Sequence, residues 1–178
     1  MSLPIPGDST DLRAGQPIHD ALLAMLPLVG VWRGTGTGVV PSTGRPFRYG
    51  QRVSFAHDGR PFLVYESRAW LVDDTGAVIR PALREVGFWR PGAGAADIEA
   101  QLVAVFGLAV GYTGHAGELT WELDGATIVR TPTASDVDGE RRRYALVDET
   151  LKYVTELALP GSDYVPHLSG RLERDQWA

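Results

Sequence analysis

From Gly30 onwards the apolar residues of this chain recur at every second position, in short stretches punctuated by turn residues. A helix cannot place a two-residue period on one face, whereas a half-buried strand must. In "FRYGQRVSF", Phe47, Tyr49, Val53 and Phe55 alternate with Arg48, Gly50, Arg52 and Ser54. "HDGR" then precedes "PFLVYESRAWL", and "DDTG" precedes "PALREVGFWRP", which reads as consecutive hairpins. Further strands are expected at 97–106, 109–113, 118–123, 127–132, 141–147, 151–159 and 165–174. Only one segment departs from the pattern. Ile18, Leu22, Met25 and Leu26 recur at helical spacing and Pro27 stops them, which predicts one short helix over 18–26. Residues 1–16, rich in Pro, Gly, Ser and Asp, are expected to form a flexible arm, and 17–178 a single domain.

One short helix and about ten hairpin strands favour an all-β fold, a closed antiparallel up-and-down barrel. Closure removes both sheet edges, and the helix can cover an open end. The stretch "GVWRGTGTG" sets Trp32 among Gly30, Gly34, Gly36 and Gly38 where the first strand begins. Glycine weakens a strand, so its repetition points to a bend and close approach where the first strand meets the last, with Trp32 on the barrel floor beneath the helix. A barrel of more than about eight strands is too wide to fill with its own side chains and normally encloses a ligand.

Composition narrows the ligand. A net charge of -5 argues against nucleic acid and anionic membranes, and "ERRRY" at 140–144 reads as a solvated strand end. With no cysteine there is no disulfide, thiolate nucleophile, iron–sulfur cluster or cysteine-based zinc site. No Ser/His/Asp set is identifiable, and the Gly30 run precedes a strand where a phosphate-binding loop would precede a helix. The chain shows neither a secretory signal nor an apolar run long enough to span a bilayer, so a soluble, cytoplasmic protein is expected. Of the four histidines, His19 opens the helix, His57 sits in a hairpin turn and His115 in a loop. His167 opens a strand directly after Pro166. Strict alternation groups it with Ser169 and Arg171, opposite Leu168 and Leu172, and so places it outside the barrel.

Taken together, "GVWRGTG" (30–36), "HDGRPFL" (57–63), "REVGFWRP" (84–91) and "PHLSGRLER" (166–174) resemble the nitrobindin family of heme-binding barrels, akin in shape to lipocalins and fatty-acid-binding proteins. The resemblance is strongest to its actinobacterial peroxynitrite isomerase branch. It implies a G-x-W-x-G-x-G signature at Gly30, Trp32, Gly34 and Gly36, and heme b held by His167 as axial ligand. It implies isomerisation of peroxynitrite to nitrate, with nitric oxide as a further small ligand, and it leaves a homodimer open. A propionate contact would fall on Ser42 or Thr43, and the distal pocket on Leu83, Arg84 and Leu157. Two rivals stand beside it: a heme or nitric oxide carrier or sensor without turnover, and an apolar carrier of the fatty-acid type. For His167 to reach a heme, alternation must be interrupted by a bulge or a twisted strand end. Proton competition for its imidazole would weaken heme binding below a pKa of about 6.5.

Overall fold

Ten strands follow one 3₁₀ helix in the computed structural model, which describes residues 7–175. The helix is Asp20–Leu28. The strands are β1 (Gly30–Val39), β2 (Pro46–Ala56), β3 (Leu63–Val72), β4 (Val78–Pro91), β5 (Asp97–Ala104), β6 (Leu108–Ala116), β7 (Thr120–Arg130), β8 (Gly139–Val147), β9 (Thr150–Ala158) and β10 (Val165–Arg174). Each pairs antiparallel with its chain neighbours, and β1 pairs with β10, so the sheet is a closed up-and-down barrel. The expected strands at 118–123 and 127–132 are one strand, β7. Asp124-Gly125 looks like a turn, but the chain runs through it and absorbs Ala126 as an extra residue opposite Gly111 and Tyr112. Within the expected arm, Ser9 and His57 exchange backbone hydrogen bonds of 2.8 and 2.9 Å; residues 1–6 lie outside the described residues.

The glycines of β1 serve the seam. The Arg171 carbonyl of β10 stands where a Gly34 side chain would begin, and the Tyr49 ring lies across Gly36. Any larger residue would push the closing strands apart or displace an aromatic ring from the core.

The helix differs from the expected one in type and extent. Leu22, Met25 and Leu28 are its buried residues, a spacing of three that matches a 3₁₀ turn and not an α-helical one. Pro27 lies inside it. Proline has no N–H to return to the Ala24 carbonyl, and Trp121 Nε1 of β7 donates to that carbonyl instead at 2.9 Å. Trp32 Nε1 donates to the Leu28 carbonyl at 2.8 Å. Arg174 lies over the Trp32 ring at 4.2 Å and donates to the Pro27 carbonyl at 2.9 Å. Two indoles and one guanidinium thus fasten the helix across one end of the barrel, and the other end stays open. Trp32 is 1% exposed, so Trp32→Ala should cost about 3–5 kcal/mol of unfolding free energy. Urea melts check this, and an unchanged midpoint would contradict the packing.

Candidate functional site

A cavity of ≈ 1420 Å³ occupies the open half of the barrel. That exceeds the roughly 300–1,000 Å³ common for small-molecule pockets. Its wall is largely apolar, with Phe47, Ala69, Leu71, Leu83, Leu108, Leu157 and Leu168 facing the lumen. Arg45, Arg48 and Arg80 also line it, and two of these are set by the backbone: Arg48 donates to the Asp74 carbonyl and Arg80 to that of Pro81, each at 3.2 Å.

Of the four histidines only His167 lines the cavity. β10 pairs with β9 in one register up to Pro166 and in another from Leu168, which leaves His167 as an extra residue in a bulge. Leu168 and His167 therefore both face the lumen, and the alternation that would have turned the histidine outward is broken where it matters. Its Nδ1 lies 2.9 Å from the Val39 carbonyl. A carbonyl only accepts, so Nδ1 carries the proton and the lone pair resides on Nε2, which has no hydrogen bond among the described residues. Burial lowers the pKa of His167 and the Arg142 charge adds to this, against the Val39 hydrogen bond and the Glu140 charge. The ring is a neutral imidazole at pH 7. Phe47 meets it edge-on at 6.3 Å.

The other histidines have structural positions. His19 caps the helix, its Nδ1 accepting from the Ala21 N–H at 3.1 Å. His115 is exposed on β6. His57 is 1% exposed and away from the cavity lining, with neither ring nitrogen hydrogen-bonded among the described residues.

Leu83 and Leu157 both line the cavity, Leu83 on β4, four strands round the ring from β10. Arg84, expected beside them, lies on the outer face and pairs with Glu66 at 2.8 Å, because alternation turns its neighbours Leu83 and Glu85 inward. Ser42 lines the cavity mouth; Thr43 does not, and its hydroxyl accepts from the Arg45 N–H within the β1–β2 turn.

The "ERRRY" stretch is not a solvated strand end. Glu140 and Arg142 are buried, at 9% and 7% exposure, while Arg141 and Arg143 face out. The Arg142 guanidinium takes Glu85 bidentately, both bonds 2.7 Å, and Glu140 at 2.8 Å. Beside this triad, Tyr49 and Tyr153 hydroxyls meet at 2.5 Å, Tyr153 donates to Gln51 Oε1, and Gln51 donates to Ser67 at 2.8 Å. Burial pushes the Tyr49 phenol up to about 12, against the Tyr153 hydrogen bond, so the proton stays on it at neutral pH. A polar tier therefore separates the packed floor from the cavity. Sequence reasoning missed it although the signal was present: Glu140 and Arg142 alternate in phase with Tyr144, a core residue.

Fold and cavity together define a ligand-enclosing up-and-down barrel with one imidazole nitrogen free to bind metal. Among the described residues no group of three or more His, Cys or carboxylate side chains is placed to hold a bare ion, so a metal bound here would bring most of its ligands with it. Residues 21–174 match the THAP4-like, heme-binding β-barrel domain, and the chain belongs to that family. It is 46% identical over 171 residues to a peroxynitrite isomerase of Salinispora arenicola, covering 94% of this chain and 87% of that one. It is 45% identical to a ferric nitrobindin-like protein of Saccharopolyspora erythraea, covering 97% and 82%. The crystal structure of Rv2717c from M. tuberculosis superposes with a TM-score of 0.78 at 31% identity, covering 89% of this chain and 99% of that one. The site suits the family's cofactor: a large apolar cavity, a neutral imidazole with a free Nε2, and arginines at the mouth able to pair with carboxylates. No helix among the described residues is long and apolar enough to cross a membrane.

Breaking the buried triad should be costly. Arg142→Met leaves Glu85 and Glu140 without their cation and is expected to cost about 3–5 kcal/mol. Equilibrium urea unfolding measures it, and a loss below about 1 kcal/mol would mean that solvent already screens the triad.

Proposed function

We propose that this chain binds heme b through His167 and isomerises peroxynitrite to nitrate in the cavity above it. The observation that carries the reading is the state of His167: Nδ1 held on the Val39 carbonyl, Nε2 bare, and the ring neutral in an apolar lumen. A metal-binding histidine whose other nitrogen is fixed in this way has its tautomer and orientation set before the metal arrives. The names of the relatives from Salinispora and Saccharopolyspora support the same cofactor and reaction. The chain has no cysteine, so no thioether link would hold the heme.

Heme, when bound, would supply an iron able to act as Lewis acid and redox centre toward a small ligand. The chain's own residues supply the rest. Arg45, Arg48 and Arg80 offer fixed positive charge to the propionates, with Ser42 as a hydroxyl donor beside them. Leu83, Leu71 and Ala69 line the wall of β3 and β4 across the lumen from β10. They keep water off the reacting ligand and offer it no proton. With Arg84 outside, the cation that β4 brings to the lumen is Arg80 at the mouth, which donates to the Pro81 carbonyl. An apolar wall that holds neither substrate nor product strongly favours turnover of a small reactive species over storage.

In the depth of the lumen a fatty-acid carboxylate finds no free cation among the described residues. Arg142, the buried cation of the lumen, is saturated by two glutamates, so the tier carries a formal charge of −1 and repels a carboxylate. A heme carrier or sensor without turnover is separated from the isomerase by kinetics: stopped-flow mixing with the hemin-loaded protein should accelerate peroxynitrite decay and raise the nitrate share of the products. Unchanged decay would leave the carrier.

Two further outcomes test the ligand. His167→Ala should remove or strongly blue-shift the ferric Soret band, whereas His19→Ala, His57→Ala and His115→Ala leave it in place. Protons compete with iron only once the folded-state imidazole is protonated, and burial lowers that pKa. Hemin affinity should therefore stay level as pH falls through 6.5, the ordinary imidazole value, and weaken only below it. A decline that sets in at pH 7 would contradict the buried, neutral ring.

A further inference from the structure

His167 reaches the lumen because β10 carries one residue more than β9 does opposite it. Val165 and Pro166 pair with Leu157 and Glu156, then Leu168 and Ser169 with Thr155 and Val154. Without the extra residue the inward set that includes Gly170 and Leu172 would continue in strict alternation, and His167 would join Ser169 and Arg171 on the outer face. A bulge disrupts the ladder locally and persists only where other bonds hold it. Pro166 brings no N–H to this stretch. Leu168 N–H donates to a side chain, Thr155 Oγ1 of β9, at 3.2 Å. Thr155 is 4% exposed and points inward between Tyr153 and Leu157. On the other side of β10, the His167 ring itself meets the Val39 carbonyl, just beyond the last β1 pair at Gly38 and Leu168.

We propose that Thr155 is a positioning residue: its hydroxyl holds the β10 bulge in the register that turns His167 into the lumen and seats Nδ1 on Val39. The consequence for heme rests on His167 being the axial ligand; the consequence for the ring does not. Thr155 touches neither substrate nor iron. It acts through the backbone of Leu168, one residue from the imidazole. With a methyl in place of the hydroxyl, the Leu168 N–H loses this acceptor, and β10 is free to sample registers in which His167 leaves the Val39 carbonyl.

Thr155→Val replaces the hydroxyl by a methyl of similar size, Thr155→Ser keeps it, and Thr155→Ala serves if valine disturbs folding by circular dichroism. In the heme-free protein, long-range ¹H–¹⁵N spectra of ¹⁵N-labelled histidines should show His167 as the Nδ1–H tautomer in the parent and in Thr155→Ser. Thr155→Val should show mixed tautomers or several His167 signals. Hemin titration should show a loss of about 10- to 100-fold in affinity for Thr155→Val, the usual effect of removing an outer-shell partner, and recovery to within a few-fold for Thr155→Ser. Unaltered His167 signals in Thr155→Val and Thr155→Ala overturn the proposal, even if affinity falls. His167→Ala, titrated in parallel, separates the two readings: if it binds hemin with the parent's spectrum the ligand assignment fails, and the tautomer measurement alone decides the role of Thr155.

Discussion

The pairing of β1 with β10 is the contact on which the rest of the molecule depends. It runs from Trp32 opposite Arg174 to Gly38 opposite Leu168. Its lower end is the latch of Trp32 and Arg174 against the 3₁₀ helix, and its upper end is the bulge that delivers His167. A ring of strands closes only if their tilt and register agree all the way round, so floor and site are set by one alignment. The glycines of β1 follow from that demand. They let the Arg171 carbonyl and the Tyr49 ring occupy space that side chains would have filled.

Between floor and cavity lies a layer that a purely apolar barrel would lack. Desolvating two carboxylates and a guanidinium is costly, and such groups are often no more stable than a well-packed apolar substitute. What they give this barrel is a boundary. Arg142 reaches from β8 to Glu85 on β4 across the interior, fixing the two walls relative to one another. Tyr49, Tyr153 and Gln51 do the same among β2 and β9. Above this layer the lumen stays open, and below it the indoles and aliphatic residues pack to closure.

Much of this was readable from the residues. The two-residue period and the turn signals gave the strands, and closure followed from their number, with Trp32 correctly under the helix. What escaped were the places where a local pattern is overridden. At His167 alternation alone points outward; it was the resemblance that called for a bulge, and the register shift between Pro166 and Leu168 supplies it. At 124–127 a turn-like Asp-Gly lies within a strand, since a bulge at Ala126 absorbs the irregularity. Pro27 ended the helix on paper but not in the fold, because the Trp121 indole compensates for the missing N–H. Arg84 and Arg142 show the same error in opposite senses. Each was assigned by its charge or its resemblance when its parity, read against Leu83 and Tyr144, places the first outside and the second inside.

The latch between Arg174 and the helix also governs when the protein can exist. Arg174 ends the last strand, and its partners Pro27 and Trp32 lie near the start of the fold. Until β10 is available, β1 is paired on one side only and the helix lacks the Arg174 part of its latch, so a nascent chain cannot complete the barrel piecemeal. The contacts that close it join residues more than a hundred positions apart, which is the slow, aggregation-exposed regime of folding. A chain of this design therefore completes its barrel only once β10 has been made, and until then its early strands keep one edge open.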